Sequence, residues 1–180
     1  MNLKKVKIIS VLGMIILAFL FHNLYKWIPN TFTSIFFPVN ESIWEHMKLL
    51  YTTSIVFGII EYLILYFFDI KLEKNNYFIN LSLISFLSIP IYLIMFLPLY
   101  YSFGENMFIS IGVMIITFII IEIISYFLLQ KLDFKYQEII GIVLIIIGFS
   151  IMGYLTYNPL INDLFLDHKE NKYGISYYKM

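Results

Sequence analysis

Apolar residues fall along the chain in five blocks of about twenty, near 6–27, 49–68, 77–101, 107–129 and 139–157, separated by short polar stretches. At a rise of about 1.5 Å per residue, a helix of about 20 residues crosses a hydrocarbon core of about 30 Å. The pattern predicts an all-α integral membrane protein, a five-transmembrane-helix bundle in one domain spanning 1–180. An odd number of spans puts the termini on opposite sides. The segment 28–48 holds Pro29, Pro38, Glu41, Glu45 and Lys48 and is too polar and broken to cross lipid alone; it reads as an interfacial helix or re-entrant segment at one surface. The tail 158–180 reads as a solvated end.

Detail within the blocks sharpens this reading. The first block follows Lys4, Lys5 and Lys7 but lacks a small-x-small cleavage site, so it reads as an uncleaved helix, with Tyr25 and Trp27 at its far interface. Pro90 and Pro98 each remove an intrahelical hydrogen bond, predicting a kink near Pro90 and fraying by Pro98. Gly58, Gly112, Gly141 and Gly148 are expected at close helix contacts, the last two on one face.

Composition supports the membrane class and excludes others. The 180 residues are 61% hydrophobic and 13% charged, about half the charge of a soluble domain, and mean hydropathy is +0.84. Twelve cations, all Lys, balance twelve carboxylates, leaving no basic field for nucleic acid. The absence of cysteine removes disulfides, thiolate metal sites and cysteine nucleophiles. No haem, nucleotide or flavin motif is present. Heavy use of Ile, Phe, Tyr, Lys and Asn, without Arg, is the bias of an AT-rich bacterial genome. Lysine placement sets the expected orientation in the bacterial cell membrane. With the N-terminus inside, seven lysines lie on the cytoplasmic side (4, 5, 7, 71, 74, 131 and 135) and five outside, three of them in the tail at 169, 172 and 179, while the loop near Gly104 has none.

Polar residues that carry chemistry gather at two levels. In the outer segment, Ser42 with Glu45 three residues on forms a capping-box pattern that starts a helix running into the second span. That helix would put Glu41, Glu45, Lys48 and Thr52 on one face, with His46 pointing elsewhere and Trp44 at the interface. In the expected topology His22, Asn23, the run 40–46, Glu105, Asn106, Asp163, Asp167 and His168 all lie on the outer side. Carboxylates and imidazoles there can hold a divalent metal, with His22, His46 and Glu45 or Glu41 as ligands. Without metal, Glu41, Glu45 and His46 can act as general acid and base; His22, Asn23, Asn40, Trp44 and Asp167 are candidate ligand-binding residues. Polar residues are also expected wherever the lipid ends, and no His-Glu-x-x-His spacing occurs.

Inside the membrane, Glu61 and Glu122 each lie seven residues before the inner end of their span, about 10 Å deep. No Lys or His is expected at that level. Ser82, Ser85 and Ser88 recur on the third span, Ser85 nearest the carboxyls. Two buried acids without a cation tend to share a proton; the alternative is neutral glutamates hydrogen-bonding to Ser85, Thr117, Ser125 or backbone carbonyls as helix glue.

The run Pro38-Val-Asn-Glu-Ser-Ile-Trp-Glu-His-Met-Lys-Leu-Leu50, with Tyr-Asn-Pro at 157–159, 164–167 and Tyr-Gly-Ile at 173–175, resembles an uncharacterised family of bacterial multi-pass membrane proteins. The resemblance implies a membrane fold and carries no activity. Three function classes stay open: an outward-facing membrane enzyme or small-ligand- or lipid-binding protein; a small proton- or cation-coupled transporter using the Glu61/Glu122 layer, which five spans would favour as a homodimer; and a structural or accessory protein. Lipid is the one partner that the pattern requires.

Overall fold

The computed structural model describes residues 2–72, 74–175 and 177–178; Lys179 lies outside them. Five long apolar helices cross the bundle: α1 (Leu3–Trp27), α3 (Ile43–Phe67), α4 (Tyr77–Phe103), α5 (Met107–Lys131) and α6 (Gln137–Tyr157), with the short α2 (Thr31–Phe36) between the first two. Asparagine and serine side chains start several of them. Asn2 accepts from the Lys5 amide, Asn30 and Thr33 form a reciprocal box, Ser42 accepts from the Glu45 amide, and Asn106 accepts from the Phe108 and Ile109 amides. Only half of the Ser42/Glu45 box forms, because the Glu45 carboxylate turns instead to the Val39 amide.

Helix α1 packs on α3 and α5, and α4 packs on α3 and α5, closing a ring of four; α6 lies against α4 and α2 rests on α6. The polar side chains of the ring lie inside, among an apolar core, and its outer face is apolar. Lys7, Ser10, Glu61, Asn80, Ser82, Ser85, Thr117, Glu122 and Ser125 are buried, while Ile8, Ile16, Ile94, Phe127 and Ile146 are exposed. That inversion is what a hydrocarbon solvent selects, since apolar faces lose nothing in lipid and polar groups must find partners inside. The protein is a multi-pass membrane protein.

Helix α4 runs unbroken through Pro90 and past Pro98 to Phe103, so the predicted fraying does not occur. A Cβ at Gly141 would sit 2.3 Å from the backbone of Phe78 and Ile79, and one at Gly148 would strike the Tyr51 ring, so these positions let α6 approach α4 and α3. Gly112 differs from the expectation, with nothing within 4 Å of its missing Cβ.

The tail is folded rather than solvated. Strands β1 (Leu166–Asp167), β2 (Lys172–Tyr173) and β3 (Tyr177–Tyr178) form an antiparallel sheet in that order, lying against the start of α3. The Trp44 amide donates to the Leu164 carbonyl (2.8 Å), and the Trp44 ring stacks on Phe165 at 4.7 Å. Trp44 is therefore a packing residue under the tail as well as a residue at the bundle end.

Candidate functional site

At the end of the bundle opposite the N-terminus, the penultimate turn of α1, the segment leading into α3 and the first turn of α3 bring His22, Glu41 and His46 together. Helix α3 begins at Ile43, so Glu41 precedes it and is free to swing toward His46. This departs from the expectation that Glu41 and Glu45 share a face. Glu41 Oε2 lies 3.6 Å from His22 Nε2 and 4.0 Å from His46 Nε2, and the ring centroids are 5.5 Å apart. Each of the three side chains is partly exposed.

Second contacts orient these groups. His46 Nδ1 donates to the Ser42 carbonyl at 2.9 Å, which fixes the tautomer and leaves the Nε2 lone pair pointing at Glu41. Asp167, almost fully buried, accepts from the Glu41 amide (3.0 Å) through Oδ2 and from the Lys169 and Glu170 amides through Oδ1. The Asn40 side-chain Nδ2 donates to the Gly174 carbonyl at 3.0 Å. Asp167, Asn40 and Trp44 thus lash the 40–46 run to the tail. Lys169 Nζ sits 3.9 Å from Glu41 Oε2 and 2.9 Å from Glu105; its hydrogen bond to Glu105 holds the ammonium above its usual range. Asn23 donates to the Phe19 carbonyl of its own helix, and His168 lies near Tyr100, outside the trio.

Glu45 is turned the other way. Its carboxylate is 2.5 Å from Lys48 Nζ and accepts from the Val39 amide and the Thr156 hydroxyl; Lys48 also donates to the Ser34 carbonyl and to Thr156. With both side chains almost completely buried, the Glu45–Lys48 pair ties α2, α3 and α6 together, and Glu45 does not join the two histidines, contrary to its place in the expected ligand set.

The second polar level lies near the opposite end of the ring. Here the structure overturns the expectation that no cation reaches the intramembrane carboxyls. Lys7 Nζ is 2.6 Å from Glu61 Oε1 and 3.0 Å from Glu122 Oε2, and it donates to Ser125 Oγ at 2.6 Å. Glu61 also accepts from Ser10 and, at 3.1 Å, from the Tyr77 hydroxyl, which lies closer to the Gly58 carbonyl at 2.7 Å. Asn80 donates to Ser125. Ser85 instead donates to the Leu81 carbonyl of its own helix, so Ser10 takes the role expected of it, while Ser125 joins the cluster through Lys7 and Asn80. A cavity of about 550 Å³, lined by Tyr62, Asp69, Lys71, Asn75 and Tyr77 among others, opens beside this cluster.

The model of the Family of unknown function (DUF6512) matches residues 1–175, and the chain belongs to that family. No curated protein and no solved structure matches the chain.

Proposed function

We propose that this DUF6512 chain binds a divalent metal, with zinc chemistry the closest fit, through His22, Glu41 and His46, and that it works as a metal-dependent enzyme on a lipid or lipid-linked substrate at the outer membrane surface. The observation that carries the reading is the convergence of two imidazole Nε2 atoms on one carboxylate oxygen. Two histidines and a glutamate are the donor set of open catalytic zinc sites, in which the fourth position takes water or substrate. Tetrahedral zinc with bonds of about 2.1 Å spaces its donors about 3.4 Å apart, and the donors here lie within 4.8 Å of one another. Side-chain adjustments of about 1 Å close the set.

The surroundings support the same reading. The Ser42 carbonyl on His46 Nδ1 is the kind of outer contact that orients a metal-ligating imidazole. Partial exposure leaves the site open to a substrate at headgroup level, and the N-terminus-inside orientation puts it outside the cell. Lys169 lies 3.9 Å from Glu41 Oε2, but its shorter contact, 2.9 Å, is to Glu105, so Glu41 is not its main partner. The test is the metal content of detergent-purified protein after zinc loading and dialysis. One ion per chain is expected in the wild type and in folded Glu45→Gln, and none in His46→Ala or Glu41→Gln. Wild type without stoichiometric metal, or metal retained in both ligand variants, refutes the proposal.

A further inference from the structure

The Lys7, Glu61 and Glu122 cluster takes no part in the outer site, and its composition is unbalanced. One ammonium faces two carboxyls, and each of the three side chains is at least nine-tenths buried. With both acids ionised the bundle interior would hold a net negative charge, which burial disfavours strongly. We propose that Lys7, Glu61 and Glu122 form a one-proton site, with the proton on Glu122, filled from the N-terminal side of the membrane through the cavity that Tyr77 lines.

The donors decide which carboxyl is ionised. Glu61 accepts from Lys7 and Ser10 and shares the Tyr77 hydroxyl proton with the Gly58 carbonyl, and these donors stabilise the anion. Among the described residues, Glu122 meets only the Lys7 ammonium; its Oε2 is buried with no aligned hydrogen bond, and Asn80 Oδ1, in the same network through Ser125, is buried without a donor. Proton uptake converts the Glu122 carboxylate to the acid and brings the trio to zero charge. The other helices add no competing charge among the described residues. Tyr77 from α4 bonds Glu61 and the Gly58 carbonyl, Tyr62 of α3 packs on Tyr77, α6 carries Glu138, which is engaged by the Phe78 amide, and Lys4 lies over Tyr126. Tyr77 lines the cavity and its hydroxyl contacts Glu61, which puts that hydroxyl on the proton's route between the cavity and the carboxyls.

The experiment is infrared spectroscopy of the full chain in lipid vesicles, reading the carbonyl band of protonated carboxyls in H2O and D2O at neutral pH. Counting carboxyls less ammoniums gives one acid in the wild type, none at this site in Glu122→Gln or Glu61→Gln, and two in Lys7→Met. The expected result is a wild-type band lost in either glutamine variant and about doubled in Lys7→Met. A wild-type spectrum equal to that of Glu122→Gln overturns the site, and a band that survives Glu61→Gln overturns the charge balance. Both glutamine variants preserve side-chain volume, so the test stands if Lys7→Met does not fold. Tyr77→Phe should slow hydrogen–deuterium exchange of the band several-fold; unchanged exchange overturns the route. The readout involves no metal and is independent of the outer centre.

Discussion

Neutralising one member of the Glu45–Lys48 pair tests whether Glu45 belongs to the fold or to the chemistry. Lys48 Nζ is sealed among Glu45, the Ser34 carbonyl and Thr156. Glu45→Gln keeps the volume and an oxygen for the Val39 amide, but it leaves a buried ammonium without its anion. Breaking such a pair costs about 3–5 kcal/mol. The glutamine variant belongs at the lower end, about 3 kcal/mol, because the carbonyl groups around Lys48 remain. Glu45→Ala also orphans the Val39 amide, worth about 1–3 kcal/mol, and should lie at or above about 5 kcal/mol. The double variant Glu45→Gln/Lys48→Met removes both charges and orphans the Ser34 carbonyl, a loss of about 1–3 kcal/mol, while Thr156 keeps its bond to the Met152 carbonyl.

The cycle therefore predicts singles that are each worse than the double, a coupling of at least about 2 kcal/mol. It is measured by denaturant titration in mixed micelles, followed by Trp44 fluorescence, which reports the adjoining turn of α3. Single variants that each cost under about 1 kcal/mol, and that add in the double, would mean that water reaches the pair. Glu45 would then be available for catalysis, and its assignment to the fold would be wrong.

Three further outcomes follow from contacts already described. Asp167→Ala removes the acceptor of three backbone amides, worth about 1–3 kcal/mol for each amide left buried and unpaired; limited proteolysis should cut the tail much faster than in the wild type, and equal cleavage would refute the docking. Gly141→Ala forces a Cβ against the backbone of α4 and should cost about 1–3 kcal/mol, whereas Gly112→Ala should be near neutral, as thermal unfolding of the two will show. Lys169→Ala removes a cation 3.9 Å from Glu41 and should tighten zinc binding by isothermal titration; unchanged or weaker binding would argue against Glu41 as a ligand. Lys169 keeps its charge throughout the neutral range, since the raised ammonium is lost only in strong alkali.

The helices were legible because hydropathy records the solvent in which each block sits, and Ser42 marks the start of α3; the Asn2 and Asn30 caps that set the starts of α1 and α2 emerge only in the structure. The polar sites were half legible, for a different reason. Composition along the chain named His22, Glu41, His46, Glu61 and Glu122, but pairing depends on where side chains turn, and one residue at a helix start decides it. With α3 beginning at Ile43, Glu41 leaves the helical face and Glu45 takes the inward position beside Lys48.

Lys7 was concealed by its neighbours. Lys4, Lys5 and Lys7 together look like a cytoplasmic charge cluster, yet Lys7 shares the three- and four-residue stripe of Ser10, Met14, Ala18 and Phe21 that forms the buried face of α1. The same stripe holds Ser54, Gly58, Glu61 and Leu65 on α3, and Thr117, Ile121, Ser125 and Leu129 on α5, with Glu122 one step beside Ile121. A lysine in phase with buried small and polar residues faces the bundle rather than the headgroups, because its stem and ammonium then run along an interior that supplies carboxylates. The phase of a charged residue, more than its count or its distance from the end of a span, therefore separates an anchoring lysine from one that belongs to a site.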